Sequence, residues 1–416
     1  MGYSDQNTLT IAGMGRSGLA VANYLTRAGI EYACCDDKED YPDCVQMLEG
    51  YGGYVIKSPG IPVEKLPGVA SQNMINDVEL FLRLSKKPVI MVTGTNGKST
   101  VVSLLECIFE VSGINAIACG NNGVPVMHAY ERQADIYILE LSSYQLENIS
   151  SYACVSAVLL NIGVDHVDRY SDMQAYESVK KKVYTSSIAS IHPVEEYGDI
   201  NYHANVSGYT CRSPEGIVNY SLKSGDIIRN NEVYCAASEL GLIGRHNYLN
   251  VCASLGLIDG FGLTKKLVIQ ALKSFKGLPH RMEIVCKDNQ GRQWINDSKS
   301  TNVHSLDAAL SSQQTPVCLI LGGRGKGEDY SQVFRRYHSI IKELVIYGED
   351  SSLINSQASS IGKRVIVDTV SEAVVVAFQY NSDVLFSPAC ASFDQYMDFN
   401  ERGDDFKQQV RQVVTC

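Results

Sequence analysis

The sequence has 416 residues, more than one hydrophobic core usually organises, so we expect two or three domains. Hydrophobic residues make up 45% of the chain and charged residues 20%, and no run of about 18 apolar residues occurs, so we expect no membrane insertion. The net charge of −10 argues against a nucleic-acid partner, so an anionic ligand would be held by local cations and backbone amides.

The cysteines and the first residues predict where the protein works. The 13 cysteines are scattered and contain no CxxC pair, so we expect neither a disulfide framework nor a zinc site. Met1–Thr10 lacks a basic segment followed by an apolar stretch, so we expect no export signal. These features favour a cytoplasmic protein, which we expect to be a monomer.

The first predicted elements form a βαβ unit and end near Lys86-Lys87-Pro88, where we place a domain boundary. A turn rich in proline and glycine follows another strand of this region. The elements, in chain order, are strand Thr8–Ala12, helix Leu19–Ala28, strand Tyr32–Cys35, turn Ser58–Pro62 and helix Val78–Leu84.

A second α/β region follows, with continuous apolar runs of the kind that parallel sheets bury on both faces. Its predicted strands are Val89–Val92, Ile136–Leu139 and Ala157–Leu160. The polar stretch from Val194 to Glu232 is weakly patterned and fits either a β-rich insertion or irregular surface.

A second composition shift, at Phe275–Pro279, precedes a third run of alternating elements. We therefore predict an α/β protein with three domains: a Rossmann-like domain at 1–87, a central P-loop ATPase-like domain at 88–276 and a C-terminal Rossmann-like domain at 277–416. The strands predicted for the third domain are Glu283–Val285, Gln293–Ile295, Val317–Leu321, Leu344–Tyr347, Arg364–Val367 and Val384–Phe386.

The strongest motif is Val92-Thr-Gly-Thr-Asn-Gly-Lys-Ser-Thr100, between a predicted strand and an apolar helical stretch. Its glycines let backbone N–H groups face phosphate oxygens, Lys98 can reach the β- and γ-phosphates, and a hydroxyl at Ser99 or Thr100 can bind Mg²⁺. A plain strand-to-helix turn is the alternative, and Val92 stands where the usual pattern has its first glycine. The predicted ATP-binding residues of this loop are Gly94, Thr95, Asn96, Gly97, Lys98, Ser99 and Thr100.

The shortened loop GTNGKST resembles the ATP loop of the Mur ligases and of the folylpolyglutamate synthetases. Both join an amino acid to a carboxylate through an acyl phosphate. The resemblance implies ATP and Mg²⁺ as cofactors and extends over most of the chain, thinning between Val194 and Glu232.

Two strand ends resemble the magnesium ligands of this family. Ile136–Glu140 ends in an acid and is followed by Leu141-Ser-Ser-Tyr-Gln-Leu-Glu147, which is similar to the D-glutamate-adding member. Because ligands collect at the carboxyl ends of parallel strands, Glu140 is well placed to hold Mg²⁺. Asp165-His166-Val-Asp168 resembles the family segment in which the histidine binds a second Mg²⁺, so the resemblance implies that role for His166.

Lys180 lies within an apolar stripe at helical spacing, formed by Met173, Tyr176, Val179 and Val183. Desolvation raises the neutral fraction of a lysine, which reaction with carbon dioxide requires. The resemblance implies that Lys180 is carbamylated and helps to hold Mg²⁺. A side chain that extends to solvent along the core is the alternative.

Further segments resemble nucleotide contacts of the family. In Gly244-Arg-His-Asn247-Tyr-Leu-Asn250, the resemblance implies that Asn250 contacts ATP, whereas helix capping is the structural alternative. In Leu278-Pro-His-Arg281 and Trp294-Ile-Asn-Asp297, it implies that Arg281 neutralises phosphoryl charge and that Asp297 contacts the nucleotide.

The third predicted domain carries segments that resemble the amino-acid site of the D-glutamate-adding member. These include Leu321-Gly-Gly-Arg-Gly-Lys326 and Ser387–Phe399, the most specific segment of the chain. Thr301 and Asn302 also fit helix capping. The residues that the resemblance assigns to D-glutamate are Lys299, Thr301, Lys326, Ser392 and Phe399.

The first predicted domain carries Gly13-Met-Gly15-Arg-Ser-Gly18 after a strand, and Asp36 and Asp37 follow at the spacing of a dinucleotide fingerprint. That pattern alone indicates NAD. In the resembling ligases, however, this domain holds the UDP of the substrate, which for the D-glutamate-adding member is UDP-N-acetylmuramoyl-L-alanine, and we adopt that interpretation. The implied UDP-binding residues are Arg16, Ser17, Asp36, Asp37, Lys38, Gly60 and Asn121.

Four alternatives remain open. A sister ligase could add another amino acid, and a folylpolyglutamate synthetase would share the loop but lack the fingerprint domain. A dehydrogenase would explain Gly13–Gly18 but leave GTNGKST unused, and a nucleotide sensor would not need Arg281, Lys326 or Ser387–Phe399.

Overall fold

The structure is a computed structural model that describes residues 9–37, 48, 52–66, 69–121, 123–150, 154–163, 169–170, 172–185, 187–195, 206–242, 244–313, 315–325 and 327–414. By their contacts these residues group into two compact units. One lies within Met1–Glu239 and Leu249–Leu272, and the other within Leu240–Tyr248 and Lys273–Cys416. The predicted boundaries near residues 87 and 276 stay predictions.

The first sheet of the first unit is parallel, with the described strands in the order β2-β1-β3-β4. Because β1 has β2 on one side and β3 on the other, the carboxyl ends of β1 and β3 form the crevice in which open α/β sheets bind ligands. Its elements are β1 Leu9–Ala12, α1 Arg16–Arg27, β2 Ala33–Cys35, β3 Tyr54–Lys57, β4 Met74–Asn76 and α2 Asp77–Leu84.

The second sheet has the order β13-β12-β11-β10-β9-β8-β5-β7-β6 among the described strands. The five neighbouring strands β9, β8, β5, β7 and β6 are parallel. The middle one, β5, is fully buried. Its strands are β5 Val89–Thr93, β6 Ala116–Gly120, β7 Ile136–Glu140, β8 Cys154–Leu159, β9 Ser187–Glu195, β10 Val206–Ser213, β11 Gly216–Lys223, β12 Asp226–Arg229 and β13 Glu232–Ala236. The accompanying helices are α3 Lys98–Val111, α4 Val126–Tyr130, α5 Ser143–Leu146, α6 Met173–Lys181, α7 Arg245–Ile258 and α8 Lys265–Ser274.

The described part of the weakly patterned stretch is an antiparallel extension of this sheet, formed by β9 to β13. Of the two alternatives, the β-rich one is therefore correct. Two of its hairpin turns use residues with positive φ, Ser224-Gly225 and Asn230-Asn231. Such dipeptides are typical of two-residue turns whose twist matches that of the strands.

The second unit contains a sheet with the order β14-β15-β19-β16-β17-β18 in its described residues. Only the pairing of β14 with β15 is antiparallel there. Its elements are β14 Glu283–Lys287, β15 Gln293–Asn296, α9 Val303–Ser311, β16 Val317–Gly322, α10 Ser331–Arg336, β17 Ile341–Tyr347, α11 Ser351–Gln357, β18 Arg364–Ile366, α12 Val370–Phe378, β19 Asp383–Phe386 and α13 Phe399–Val413. The predicted α/β class is confirmed.

The cysteines of the described residues are free thiols, apart from Cys286, which is disulfide-bonded. The cysteine spacing did not predict that pairing. Within the part of the chain that the structure covers, no helix combines the length and the apolarity that crossing a bilayer requires.

Candidate functional site

The predicted phosphate loop joins the buried strand β5 to the N-terminus of α3. Gly97 adopts φ of 87°, a conformation that favours glycine, and a Cβ placed there would lie 2.5 Å from Asn250 Oδ1. Asn250 is therefore packed against the loop. Since α7 begins at Arg245, Asn250 lies inside the helix and does not cap it.

The polypeptide that leaves β8 fixes the conformation of this loop. Asn161 accepts a hydrogen bond from the backbone N–H of Asn96 through its side chain (2.9 Å), and its Nδ2 donates to the carbonyl of Asn96 (3.0 Å). The Thr95 hydroxyl accepts from the backbone N–H of Gly163 (2.9 Å) and lies 3.3 Å from the Tyr176 hydroxyl. No role was predicted for Asn161, although its place just after a predicted strand was a usable signal.

Lys98 is half-buried and folds back over the loop. Its Nζ donates to the carbonyl oxygens of Gly94 (2.8 Å) and Thr95 (2.9 Å). Ser99 and Thr100 are buried in the first turn of α3, which contains no acidic residue. The helix N-terminus thus keeps the positive potential that attracts phosphate.

Lys180 reaches the same loop from α6. The residue is only 2% exposed, and its Nζ donates to the Gly94 carbonyl (3.0 Å) and lies 4.8 Å from the centre of the Tyr176 ring. The expectation that the apolar stripe desolvates this lysine is confirmed, and the alternative of a side chain extending to solvent is excluded. Lys98 and Lys180 therefore converge on one backbone carbonyl.

Glu140 ends β7 and is paired in register with Val92, directly before the loop. It is 3% exposed and accepts a hydrogen bond from Asn121 Nδ2 (3.2 Å). His166, the other predicted magnesium ligand of this region, lies outside the described residues. Within the described ranges, no group of three or more His, Cys, Asp or Glu side chains is arranged to hold a metal ion.

The fingerprint turn of the first sheet packs against the turn that carries Gly60. The Ser58 hydroxyl donates to the Gly13 carbonyl (2.7 Å), and the Asp36 carboxylate accepts hydrogen bonds from the backbone N–H groups of Met14 and Asp37. Asp36 thus stabilises the turn itself.

Two more predicted UDP residues adjoin this turn. Arg16 donates to the carbonyl of Gly123 (2.7 Å), which ties the fingerprint turn to the loop that contains Asn121. The Ser17 side chain lies within hydrogen-bonding reach of the Asp77 carboxyl. Lys38 lies outside the described residues.

In the second unit, Asp297 follows β15 and is buried. Its carboxylate accepts from the Ser387 hydroxyl (2.9 Å) and from the backbone N–H of Met282 (3.2 Å). Burial raises the pKa of Asp297 to about 7, although these hydrogen bonds and the charges of Arg281 and Arg402 oppose the rise.

The predicted D-glutamate residues fall into two described groups. Lys299 Nζ lies 3.6 Å from the centre of the Phe399 ring, a cation–π contact. Ser392 is buried and follows Ala391, whose backbone N–H and carbonyl pair with those of Arg324. Lys326 lies outside the described residues.

Thr301 and Asn302 have different surroundings. The Asn302 side chain caps α9 by accepting from the backbone N–H of Ser305 (2.8 Å), which confirms the capping alternative for this residue. Thr301 is half-buried and precedes the cap.

Comparison with known families decides the identity of the fold. Residues 92–258 match the model of the Mur ligase middle domain, and residues 280–390 match that of the Mur ligase, glutamate ligase domain. The UDP-N-acetylmuramoylalanine–D-glutamate ligase of Nitrosococcus oceani is 36% identical over 98% of this chain and 97% of its own, and that of Haemophilus influenzae is 32% identical over 97% and 98%. This chain belongs to the Mur ligase family.

A solved Mur ligase structure shares the fold. The UDP-N-acetylmuramate–alanine ligase of Thermotoga maritima aligns with a TM-score of 0.58 at 17% identity, over 97% of this chain and 99% of that one. As a Mur ligase, the chain gathers Lys98, Glu140, Lys180 and Asn250 around one loop. Their roles in binding and catalysis stay predictions.

Proposed function

We propose that this Mur ligase joins D-glutamate to UDP-N-acetylmuramoyl-L-alanine, with ATP as the energy source, during synthesis of peptidoglycan precursors. The observation that carries the proposal is the convergence of Lys98 and Lys180 on the carbonyl of Gly94, beside a strand that ends in Glu140. The substrates are supported by relatives of nearly equal length that are named for this reaction. We expect a monomer that works in the cytoplasm.

The loop residues of Gly94–Thr100 would bind the ATP phosphates through their backbone N–H groups. Lys98, whose ammonium now contacts two loop carbonyls, would turn to the β- and γ-phosphates. Asn250 contacts the loop from α7 and supports a nucleotide role. We assign Arg281 and Asp297 the nucleotide roles that the family resemblance implies.

The oxygen atoms near the loop fit Mg²⁺, which prefers carboxylate, hydroxyl and phosphate oxygens. Glu140 is a buried carboxylate and Ser99 a buried hydroxyl, and a carbamate on Lys180 would add a second carboxylate next to Gly94. His166 is the fourth residue that we assign to the metal. When bound, Mg²⁺ would withdraw charge from the phosphate oxygens.

The proposed reaction has two steps. The L-alanyl carboxylate attacks the γ-phosphorus of ATP, and the bond to the β–γ bridging oxygen breaks. An acyl phosphate forms, and ADP is released. The neutral amine of D-glutamate then attacks the activated carbonyl, loses a proton and displaces inorganic phosphate. Lys98 and Arg281 supply positive charge for the transferring phosphoryl group, so positioning and electrostatics account for most of the catalysis.

The organic substrates use the other predicted residues. We assign the UDP group to the first sheet, where Arg16, Ser17, Asp36, Asp37, Lys38, Gly60 and Asn121 are its proposed contacts. D-glutamate is assigned to Lys299, Thr301, Lys326, Ser392 and Phe399. The cation of Lys299 suits a carboxylate of the amino acid.

Mass spectrometry of the product tests the proposal. The protein is incubated with ATP, Mg²⁺, UDP-N-acetylmuramoyl-L-alanine and either D- or L-glutamate, and phosphate release is followed in parallel. We expect an amide product with D-glutamate alone, and phosphate release that requires both organic substrates. Phosphate release without the UDP precursor, or a product with another amino acid only, would refute the assignment.

Two neighbouring lysines provide a matched pair of variants. Lys180→Ala should abolish product formation, because the variant loses the buried side chain on which we propose the carbamate beside the loop. Lys181→Ala should retain it, because Lys181 lies at the surface in an ion pair with Glu177. Equal activity in the two variants would contradict a role for Lys180.

A further inference from the structure

Lys57 is a fully buried lysine at the carboxyl end of β3, in the crevice of the first sheet. It is paired in register with Ala12, the last residue of β1. The turns that follow these two strands carry the proposed UDP contacts Ser17 and Gly60. A lysine is almost never fully buried without a specific partner, so its contacts indicate its role.

The Lys57 ammonium closes the turn that carries Gly60. Its Nζ donates to the carbonyl of Ile61 (3.0 Å) and lies 3.5 Å from that of Ser58. The ammonium therefore contacts the residues at both ends of the turn. At its near end, the Ser58 hydroxyl holds the turn against Gly13. The turn is thus fixed at both ends.

The charges around Lys57 connect it to the fingerprint turn. Burial lowers the pKa of Lys57 to about 8, and Arg169 adds to this effect, whereas Glu147, Asp77 and Glu64 favour the ammonium form. Asp77 begins α2 and is buried. Burial raises the pKa of its carboxyl, whereas the hydrogen bond with Ser17 and the charge of Lys57 oppose the rise and favour the carboxylate. Its Oδ1 makes no hydrogen bond to a described residue.

We propose that Lys57 is a positioning residue of the UDP site. Its ammonium closes the turn that carries Gly60, and its attraction to Asp77 stabilises the carboxylate that orients the Ser17 hydroxyl. The inference rests on the proposed function in taking this crevice as the place where UDP binds. Without the ammonium, two carbonyls and a buried carboxylate lose their compensating charge, and both turns lose their geometry.

Calorimetric titration with UDP measures this effect directly. Lys57→Met should weaken UDP binding about tenfold, and Lys57→Arg, which keeps the charge, should recover most of the affinity. Lys65→Met is the matched control, because Lys65 is an exposed lysine of the following segment. Its UDP affinity should equal that of the wild type.

Steady-state kinetics separate positioning from a packing defect. Lys57→Met should raise KM for UDP-N-acetylmuramoyl-L-alanine about tenfold and leave kcat and the KM values for ATP and D-glutamate within about twofold. Unchanged UDP affinity, a parallel change in every constant, or no recovery in Lys57→Arg would overturn the inference. If the wild type binds UDP but forms no amide with D-glutamate, the proposed function fails instead.

Two further measurements cover the case in which Lys57→Met does not fold. The double variant Lys57→Met/Asp77→Asn removes the carboxylate that the single variant leaves uncompensated, and it should show the same loss of UDP affinity. In the wild type, UDP affinity should fall as the pH rises through about 8, where the ammonium is lost. A flat affinity over that range would refute the role of the charge.

Discussion

Replacement of Asp297 by asparagine should stabilise the second unit relative to wild type, and the difference should grow as the pH rises. Burial raises the pKa of this carboxyl from 3.8 to about 7, because the protein interior disfavours its charged form. An asparagine resembles the protonated carboxyl. It can accept from the backbone N–H of Met282 and donate to the Ser387 hydroxyl, so both hydrogen bonds of Asp297 have a counterpart in the variant.

The pKa difference sets the size of the effect. The contribution of Asp297 to stability is fully present below its unfolded pKa of 3.8 and is lost as the pH rises through about 7, because the folded chain holds the proton more tightly. The full loss corresponds to about 4 kcal/mol, of which about 2 to 3 kcal/mol falls between about pH 5 and about pH 8.5. The free energy of unfolding of Asp297→Asn, relative to wild type, should increase by that amount over this range.

The single tryptophan of the chain makes the measurement specific. Trp294 is fully buried and lies on the strand that ends just before Asp297, so its fluorescence reports unfolding of this region. Urea denaturation at several pH values gives the free energies. Asp288→Asn is the control: burial would raise the pKa of Asp288, but hydrogen bonds from Arg292 and Trp294 hold it below its ordinary value.

The two variants should therefore behave in opposite ways. Asp288→Asn should lose stability relative to wild type at neutral pH, whereas Asp297→Asn should gain it. Asp297→Asn should also lose ligase activity if Asp297 contacts the nucleotide. A constant difference in unfolding free energy between Asp297→Asn and wild type across the pH range would refute the reasoning that burial keeps this carboxyl protonated.

Two other predictions concern the first unit. Gly97→Ala should abolish ATP binding, because the added Cβ would meet Asn250 Oδ1. Gly113→Ala is the control, because Gly113 has φ of 76° and open space around the added Cβ. It should bind ATP normally and lose only about 1 kcal/mol of stability in thermal unfolding, from backbone strain. Equal ATP affinity in both variants would contradict the packing of Asn250 on the loop. For Lys57, the lowered pKa predicts that the free energy of unfolding rises between about pH 8 and pH 10.5, whereas UDP affinity falls. If denaturation and UDP titration showed the two quantities changing in the same direction, the result would be inconsistent with the proposed role of Lys57.

Much of the central region could be predicted, because the residue types and their spacing there indicate which positions are buried. The run Val89–Val92 has the composition of a buried parallel strand, and the loop after it needs glycine at Gly97 for backbone reasons. The spacing of Tyr176 and Val183 placed Lys180 on a buried face. Periodicity gives the face of a helix on which a side chain lies.

The antiparallel extension was less predictable, although its turns carried a signal. Ser224-Gly225 and Asn230-Asn231 separate short strands, and both pairs adopt positive φ. The strands themselves gave little hydrophobic signal, because β11, for example, buries only Tyr220 among its eight residues. Turn chemistry would have favoured the β-rich alternative.

The sequence could not reveal the long-range contacts. Asn161 holds Asn96 from the end of a neighbouring strand, although the two residues lie 65 positions apart, and Ser58 holds Gly13 across 45 positions. Such contacts depend on which strands become neighbours. The crossover that places β3 beside β1 brings Lys57 under the fingerprint turn.

The positions of the buried ionisable side chains argue for function rather than packing. Lys57 ends a parallel strand, Lys180 contacts the residue after another, and Asp297 follows a third, so each lies where ligands bind in α/β sheets. Burying such a group costs several kcal/mol, and an apolar residue of similar volume would often be neutral or stabilising at the same place. A chain selected for stability alone would not place three such groups at strand ends, so their presence there is the expected consequence of a site that needs ionisable side chains at fixed positions.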